Sequence, residues 1–593
     1  MDSGVVWGWD HSTHHKQINI IFYVYSGSGK GKHKIVQFFW QVSSVPKYMR
    51  SSIDRVQLCL VFKEKLLKKY SYAELLRPLI NDLLTLENRG IDVSLPFSRN
   101  VKAGLLLYSG DNLESHAIGG FSTSFSSKSI CRHCHCQYDD LQDHISDYDG
   151  DEIHAPWTIA EYDNLPFEDE ADNFVSDVYE EVDSNNLFTE FDEPTDNDCD
   201  PSISFPESES YEDRVDYGVK YRCVFNKLES FHCITSMPPD SMHDLMEGVI
   251  PQDLLGIIRI LIQLDWFSLD DYNTALKQYR YSSQEAANKP QELPRSQTVK
   301  KLSGKAVSNW VHCRNFPIIL FLNGWIIDDK NDVFRLALLL HDLTERITAE
   351  VFRPYEVETL EEILIEYIEL RKIVFEMYPV IGRAKPKHHF LLHYPLYIMN
   401  FGPPSSYWTG RYESKHRVAK STAEASKNFI NITHTISLRQ QYRMCSVYHH
   451  GMFKCEKFVL PTVVKTKEEL NPDEVELGYG SLLRSGDILS SSIEYRARQY
   501  KIGDVVVLGR HDKLVMDVGI TKGFVVKRGD PYLIVRRSCM QLHKYRFFTS
   551  VFTQDKLECV KFQDLHDTYP LLLRGSEEKF IVSLHHHISF SYD

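Results

Sequence analysis

Apolar and polar residues alternate near the start of the chain in a pattern that predicts strands around one helix. Ile, Val and aromatic residues, which favour extended backbone, are concentrated in four segments, Gln17–Ser26, His33–Val45, Val56–Phe62 and Val101–Ser109. Between the third and the fourth, Tyr72–Asn88 has apolar residues at helical spacing. Pro78 within that stretch predicts a kink or a later helix start. Three strands, a helix and a further strand predict an α/β fold.

Residues 238–445 have the apolar spacing of amphipathic helices instead. The clearest examples are Asp253–Leu264, Val333–Thr348 and Val357–Tyr378. Residues 456–497 have no clear period and are predicted to be a linker. Strand-like segments then return at Asp504–Leu508, Gly523–Lys527, Tyr532–Arg536, Glu558–Phe562 and Phe580–Leu584. We expect a small, barrel-like β domain over residues 498–593.

The formal net charge of −15 conceals an uneven distribution of charge. Residues 139–216 contain 28 Asp and Glu but one basic residue, Arg214. The rest of the chain has 54 acidic and 66 basic residues, so its net charge is about +12. A segment so acidic and so poor in periodic apolar residues is typical of a disordered, solvated insert. A basic body of this kind attracts polyanions, and the insert competes with them.

Composition disfavours several classes of protein. No run of 18 apolar residues occurs, so we expect no membrane span and no membrane partner. The first residues lack the basic and apolar regions of a signal peptide, and the 12 cysteines are scattered along the chain. Both features are typical of an intracellular protein, nuclear or cytoplasmic, that is not secreted. The Gly- and Lys-rich turn at 27–32 lacks the spacing of a phosphate-binding loop, which argues against a nucleoside triphosphatase.

A Cys-x-x-Cys pair, Cys131 and Cys134, places two thiolates on one turn at a spacing suited to tetrahedral zinc. A closed site needs a second pair of ligands. His389 and His393 lie four residues apart and would share one face of a helix, whereas His388 with His393 is the other candidate pair. We predict a structural zinc site that joins the end of the strand region to a distant helix.

Two carboxylates flank this candidate zinc site in the sequence. Asp111 lies at the end of the fourth predicted strand, 20 residues before Cys131, and Glu413 lies 20 residues after His393. Enzymes that cleave and join DNA strands hold two divalent metals between carboxylates, one activating the attacking oxygen and one stabilising the leaving oxygen. Each acid alone is better explained as a helix cap or a surface residue. The ordered set of Asp, Cys-x-x-Cys, His-x-x-x-His and Glu favours the metal-dependent interpretation.

Several stretches have the order and spacing of one known family. They are Gly31–Phe39, Gly110–Cys134, Pro238–Ile250, Pro386–Pro395, Trp408–Lys420 and His566–Ile588. Together they resemble the catalytic region of CACTA-type (En/Spm-like) DNA transposases of the animal type. The resemblance implies a ribonuclease-H-like core with a large, mainly helical insertion and a small β-rich C-terminal domain. The predicted order of strands and helix is also how such a core begins, although other α/β folds share it.

The resemblance assigns roles to individual residues by position. Asp111 corresponds to the second catalytic acid and Glu413 to the third, which would bind Mg²⁺ or Mn²⁺ for strand cleavage and transfer. The zinc ligands that brace the insertion correspond to Cys131, Cys134, His389 and His393.

An Asp-x-x-His motif of the family corresponds to Asp240 and His243, and its role is undefined at this level. His243, Asp244 and Glu247 would share a face of a regular helix, which packing and solvation explain more readily than a metal does.

One feature departs from the family pattern. The family's first catalytic acid ends the first strand, but here Tyr23–Ser26 continue directly into the Gly-rich turn, and no acidic residue lies between Asp10 and Asp54. Phosphoryl transfer without a central metal-binding carboxylate loses its main charge stabilisation. We therefore expect a transposon-derived protein without cleavage activity, which also lacks the family's usual N-terminal region.

DNA contact is expected even without catalysis. The basic residues expected to neutralise phosphates are Lys30, Lys32, Lys34, Arg411, Lys415, Arg417 and Lys420. The alternative function is therefore a domesticated, non-catalytic DNA- or protein-binding module, and the sequence leaves open whether the chain forms a homo-oligomer.

The predicted domain organisation follows from these elements. Residues 1–136 form the first part of the core and end in the Cys-x-x-Cys; 137–218 form the acidic insert; 219–400 form the helical insertion with the His-x-x-x-His; 401–455 form the helix that carries the last acid; 456–497 form the linker; and 498–593 form the β-rich domain.

Overall fold

A four-stranded mixed sheet forms the N-terminal part of the computed structural model. The structure describes residues 18–26, 34–46, 53–94, 99–125, 129–142, 155–165, 167, 218–427, 429–449, 458–461, 464–476, 478–512 and 515–590. The first strands are β1 (Ile18–Ser26), β2 (Ile35–Val42), β3 (Gln57–Lys63), β4 (Ile91–Val93), β5 (Arg99–Val101) and β6 (Ala103–Ser109). The order across the sheet is β3-β2-β1-β6, in which β1, β2 and β3 are antiparallel and β6 runs parallel to β1. All four predicted strands are confirmed to within a few residues.

Helix α1 (Tyr72–Asn88) connects the antiparallel strands to the parallel one and covers one face of the sheet. A capping box between Ser71 and Glu74 starts the helix, because each residue satisfies a free backbone N–H of the other. The helix continues through Pro78, so the predicted later start is wrong. The buried side chains between α1 and the sheet include Leu76, Ile80, Leu83, Ile20, Phe22, Val36 and Phe38.

A helical region follows the sheet. Its helices are α2 (Asn112–Gly119), α3 (Ile159–Asp163), α4 (Ile250–Gln263), α5 (Leu269–Gln278), α6 (Ala306–Leu322), α7 (Asp332–Ile347), α8 (Pro354–Met377), α9 (Pro386–Phe390) and α10 (Tyr394–Phe401). The three predicted helices correspond to α4, α7 and α8. Helices α4 to α10 enclose the largest hydrophobic core, which also contains Cys131 and Cys134, whereas Ile118 of α2 and Tyr162 of α3 pack in the core beneath the sheet.

The predicted acidic insert at 137–218 is described only at 137–142, 155–165, 167 and 218. The described part includes α3, whose first turn is capped by the Thr158 side chain. The prediction of disorder for the other residues of the insert falls outside the described residues.

Two helices then return to the sheet, on the face opposite α1. They are α11 (Gly410–Ser426) and α12 (Ile432–His449). Tyr412 of α11 packs against Phe39 of β2 and Val56, and Ala419 packs against Ile35 and α12. This packing brings Glu413, in the first turn of α11, back to the sheet more than 300 residues after Asp111.

The C-terminal part is mainly antiparallel sheet. Its elements are β7 (Phe458–Val459), β8 (Lys465–Thr466), α13 (Pro472–Glu476), α14 (Tyr479–Leu482), β9 (Ile488–Ser490), β10 (Ser492–Tyr495), β11 (Arg498–Lys501), β12 (Asp504–Asp512), β13 (Val515–Lys527), β14 (Asp530–Leu542), β15 (Phe548–Lys561), β16 (Asp567–Leu572), β17 (Arg574–Gly575) and β18 (Phe580–Val582). The segment predicted to be a linker thus contributes strands β7 to β10. Phe547 and Tyr545, in the loop before β15, complete the core of the helical region.

The chain combines helices and sheets, as the predicted α/β class requires. Across the described residues, no helix combines the length and the apolar character needed to cross a bilayer.

Candidate functional site

Four buried side chains that ligate metals converge between the strand region and the helical region. They are Cys131, Cys134, His389 and His393. Their ligand atoms all lie within 4.8 Å of one another. Sγ of Cys131 is 3.3 Å from Nε2 of His393, Sγ of Cys134 is 3.1 Å from Nε2 of His389, and the two Nε2 atoms are 3.1 Å apart. Ligands around a tetrahedral zinc ion are separated by about 3.3–3.8 Å, as its bond lengths require. The group therefore has the composition and the spacing to hold one metal ion.

Local folding positions each half of this group. An antiparallel bridge between Ser129 and Gln137 closes the loop that carries the cysteines. His389 lies in α9, but His393 lies in the following 3₁₀ turn, so the two imidazoles meet at a junction of helices rather than on one straight helix as expected.

The alternative ligand His388 belongs to a different network. Its Nε2 lies 3.2 Å from both carboxylate oxygens of Asp253. Arg371 pairs with the same carboxylate through Nε at 2.7 Å. His388 is therefore part of a buried ion cluster in the helical region, and the structure brings together His389 and His393.

The pKa values of the two buried thiols are displaced in opposite directions. Burial raises the pKa of Cys131, but the hydrogen bond with Cys134 and the charges of His393 and His389 lower it to well below its usual range. Burial and the neighbouring Cys131 hold the pKa of Cys134 well above that range. A thiolate enclosed by imidazoles is a donor set that a divalent metal would stabilise further.

Asp111 follows β6 and caps helix α2. Its Oδ1 accepts a hydrogen bond from the backbone N–H of Glu114 at 2.8 Å. Strand β6, which precedes Asp111, runs parallel to β1, and its last residue Ser109 pairs with Tyr23 of β1. Asp111 therefore lies at the sheet edge beside the end of β1, at the position where the sequence predicted a strand-terminal acid.

His243 joins the Asp-x-x-His motif to the last predicted acid. Its Nδ1 is 2.6 Å from Oδ2 of Asp240, and its Nε2 is 3.3 Å from Oε1 of Glu413. Burial lowers the pKa of His243, but the hydrogen bonds with Asp240 and Glu413, together with the charges of Asp240 and Asp111, raise it well above its usual range. His243 thus contacts the carboxylates of Asp240 and Glu413, and the charge of Asp111 also favours its protonated form.

Asp240 is fixed by a second element. It accepts hydrogen bonds from the backbone N–H of Thr409 at 2.9 Å and from the Thr409 hydroxyl at 2.6 Å. These bonds attach the motif to the residue that precedes α11, and they hold the first turn of α11 near His243. The Asp-x-x-His motif therefore positions the helix that carries Glu413.

The residues expected to share a helix face diverge. Met242–Val249 is a π-helical segment, a rare form that often occurs at functional sites. His243 faces Glu413, whereas Asp244 is fully buried and accepts hydrogen bonds from Asn112 and Tyr394. Burial raises the pKa of Asp244 to about 6. Within the described part of the chain, clustered metal-ligating side chains occur only as the Cys₂His₂ group.

No acid of β1 reaches this site, because Ile18–Ser26 contains none. Asp54 lies in a 3₁₀ turn, where its Oδ1 is 2.7 Å from a guanidinium nitrogen of Arg443, and Asp10 falls outside the described residues. Of the three acids that the predicted mechanism requires, the sequence offers candidates for two, Asp111 and Glu413, and β1 offers none for the first.

The residues predicted to bind phosphates differ in their exposure and contacts. Arg411, Arg417 and Lys420 are exposed on α11, and Lys34 lies 3.5 Å from Glu64. Lys415 was predicted to contact DNA, but it is buried and its Nζ donates to the carbonyl of Ile53 at 3.1 Å. Burial lowers the pKa of Lys415 to about 8. Its ammonium is thus withdrawn from the surface. Lys30 and Lys32 lie outside the described residues.

A cleft of about 1480 Å³, here called the central cleft, lies between α11, the helical region and the C-terminal sheet. Glu413, Arg411, Arg417 and Lys420 line it, as does Trp408. Sequence reasoning missed this cleft, as well as the role of Thr409, because both depend on contacts between distant segments.

No protein-family model matches the chain, and a comparison with curated proteins finds no relative.

Proposed function

We propose that this chain is a transposon-derived protein with a ribonuclease-H-like core, related to CACTA-type DNA transposases, in which strand cleavage has been lost. The observation that carries the proposal is the contact of Glu413 with His243, whose pKa the charge of Asp111 also raises, beside a sheet in which the neighbouring strand β1 has no acid. The order β3-β2-β1-β6, with β6 parallel to β1, supports the ribonuclease-H-like assignment.

Zinc is the metal we propose for the Cys₂His₂ group. Two thiolates and two imidazoles in a closed, buried arrangement are typical of structural zinc, which leaves no open position for a substrate. The ion would brace the loop after α2 against α9, and so stabilise the position of Asp111 relative to the helical region.

Loss of cleavage follows from the charge at the site. Mg²⁺ and Mn²⁺ prefer several oxygen ligands, and two metal ions need carboxylates on both sides. With β1 neutral and Glu413 hydrogen-bonded to a protonated His243, the remaining carboxylates offer a weak site for a divalent ion.

DNA nicking by the purified chain, in Mn²⁺ or Mg²⁺, tests the proposal. We expect no cleavage by the natural chain and cleavage by a version with an acidic segment inserted between Ser26 and Gly27. Glu413→Gln should abolish the restored activity, whereas Glu247→Gln, another acid of the central cleft, should leave it intact. Cleavage by the natural chain that Glu413→Gln abolishes would overturn the proposed loss. Failure of the restored version would argue against the ribonuclease-H-like assignment.

A non-catalytic DNA-binding module is the second candidate function. Arg411, Arg417 and Lys420 favour it, because all three are exposed in the central cleft. DNA binding by such a module would be unchanged in Asp111→Asn and Glu413→Gln, measured by fluorescence anisotropy at fixed salt. If DNA binding depended instead on divalent metal ions held by these carboxylates, the same two substitutions would lower the affinity for DNA.

A further inference from the structure

Residues of the C-terminal part form one wall of the central cleft. Arg496, Arg498 and Lys501 of the β10–β11 hairpin line it. Eight lysines and arginines line the whole cleft, against three glutamates. Outside the acidic insert the chain has a net charge of about +12, and the cleft concentrates part of that positive charge in one place. Such a surface attracts a polyanion by focusing the electrostatic field.

The β10–β11 hairpin has a tight turn, and the first residue of that turn is exposed. Tyr495 pairs with Arg498, so the turn consists of Arg496 and Ala497 alone. Both have positive φ, +50° for Arg496 and +62° for Ala497. Two-residue turns of this kind usually contain Gly, Asn or Asp, because other residues are strained there. An arginine at this turn is thus retained at a conformational cost.

Arg498 fixes the hairpin against the helical region. Its Nη2 donates to Oε1 of Glu350 at 2.7 Å, and its guanidinium lies 4.8 Å from the ring centroid of Tyr569. The charge of Glu350 raises the pKa of Arg498, although burial opposes that shift. Arg498 is therefore a positioning residue, and Arg496 and Lys501 are the cations that the hairpin brings to the cleft.

The opposite wall is helix α11. Arg417 and Lys420 lie three residues apart, so they share one side of the helix. Trp408, just before α11, lines the same cleft and offers an aromatic surface beside the cations. Lysines and arginines with an aromatic residue in one groove form the usual arrangement for contact with a nucleic-acid strand.

We infer that the β10–β11 hairpin is the second wall of a DNA-binding channel, in which Arg496 and Lys501 neutralise phosphates of a strand that α11 contacts from the other side. The inference rests on the proposed function, because it takes DNA as the polyanion. It assigns DNA binding to a C-terminal element that lies outside the predicted catalytic region. A strand held this way passes beside Glu413.

Salt-dependent DNA binding by the full chain tests the inference. Fluorescence anisotropy with one labelled sequence, as duplex and as single strand, gives the affinity at several salt concentrations. Removing two phosphate contacts in Arg496→Ala/Lys501→Ala should lower the slope of log affinity against log salt by about 2, and weaken binding at about 0.1 M salt by tenfold or more.

A matched control exists in the nine-stranded sheet of the C-terminal part, which is separate from the sheet of the β10–β11 hairpin. Arg528 is also the first residue of a two-residue hairpin turn, with φ +52°, and it does not line the cleft. Arg528→Ala/Lys556→Ala removes the same charge from exposed positions elsewhere on this sheet. We expect its salt slope to match the natural chain. Equal effects of the hairpin variant and this control would overturn the inference, because general charge would then explain both.

Failure of the inference is distinguishable from failure of the proposed function. If Arg417→Ala/Lys420→Ala weakens binding and the hairpin variant does not, α11 alone binds DNA and only the inference fails. If the natural chain binds neither duplex nor single strand, DNA is not the ligand, and both fail. The DNA form that binds with the higher affinity, duplex or single strand, is the one that the channel accepts. Unchanged thermal unfolding of each variant confirms that the sheet is intact.

Discussion

The guanidinium of Arg132 donates a hydrogen bond to the side-chain oxygen of Asn112, 2.9 Å away. Arg132 lies between the two cysteines of the metal-binding group, and Asn112 directly follows Asp111. The same guanidinium donates to the backbone carbonyls of Met237 and Pro238, just before the Asp-x-x-His motif. One buried side chain thus connects the Cys₂His₂ group with both the end of β6 and the motif that positions Glu413.

Arg132→Met should destabilise the protein by about 3 kcal/mol, because it leaves three buried acceptors without a donor. Urea unfolding measures the change. Arg222→Met, which removes a largely exposed arginine, should cost less than about 1 kcal/mol. Zinc content should stay the same in both variants. A loss of zinc in Arg132→Met would mean that the arginine acts on the metal group itself rather than on its connection to Asn112.

Cys131→Ser should release the metal and lower the stability by several kcal/mol, since the binding energy of a structural zinc ion contributes to folding. Thermal unfolding and elemental analysis of the purified protein report the two effects. Cys136→Ser is the matched control, because Cys136 is a buried cysteine of the same loop outside the four-residue group. An unchanged melting temperature in Cys131→Ser, with no zinc in the natural chain, would exclude the zinc assignment.

His243→Ala should destabilise the protein by about 3–5 kcal/mol, because the carboxylate of Asp240 is buried and loses its charged partner. Asp240→Asn should have a smaller effect when His243 is already absent. A double-mutant cycle with urea unfolding should therefore give a coupling energy of about 1–3 kcal/mol between the two side chains. Additive effects would show that the short contact does not stabilise the fold.

Glu345 should make stability depend on pH. Burial, with the charge of Asp342, raises the pKa of Glu345 to about 8 in the folded protein. The contribution of Glu345 to the free energy of unfolding is complete below the usual glutamate pKa of about 4.5. It is lost as pH rises towards 8, because Glu345 ionises at a lower pH in the unfolded chain than in the folded protein. In Glu345→Gln, the free energy of unfolding should fall less over this pH range, with a difference of up to a few kcal/mol from the natural chain. Urea unfolding between pH 5 and about 8 tests this, and equal pH profiles for both proteins would contradict it.

Much of the secondary structure was predictable because it depends on local patterns. The spacing of apolar residues predicted Tyr72–Asn88 to the residue, and Ser71 with Glu74 gives the physical reason for its start. The later helix start predicted at Pro78 was wrong because a proline after the first turns removes one hydrogen bond without necessarily ending a helix that is packed on a sheet. The π-helical segment at Met242–Val249 has no local signal of this kind.

The candidate site was predictable in its residue types and less so in its geometry. The Cys-x-x-Cys indicated a metal, but two pairs of histidines, His389 with His393 and His388 with His393, were candidates for the other ligands. Only Asp253, which holds His388 in another network, decides between them. Lys415 illustrates the same limit, since its sequence neighbours are exposed cations while its own side chain points inward to Ile53.

The sequence by itself determined which segments become strands and helices, and which residue types are available for metal and phosphate contact, because periodicity and composition act over a few residues. The tertiary structure alone decided which of those residues meet. Cys134 contacts His389 across 255 residues of chain, and the hairpin with Arg496 reaches the cleft that holds Glu413. Such contacts depend on how whole helices and sheets pack, and packing is set by the buried surface of the entire core rather than by any one segment.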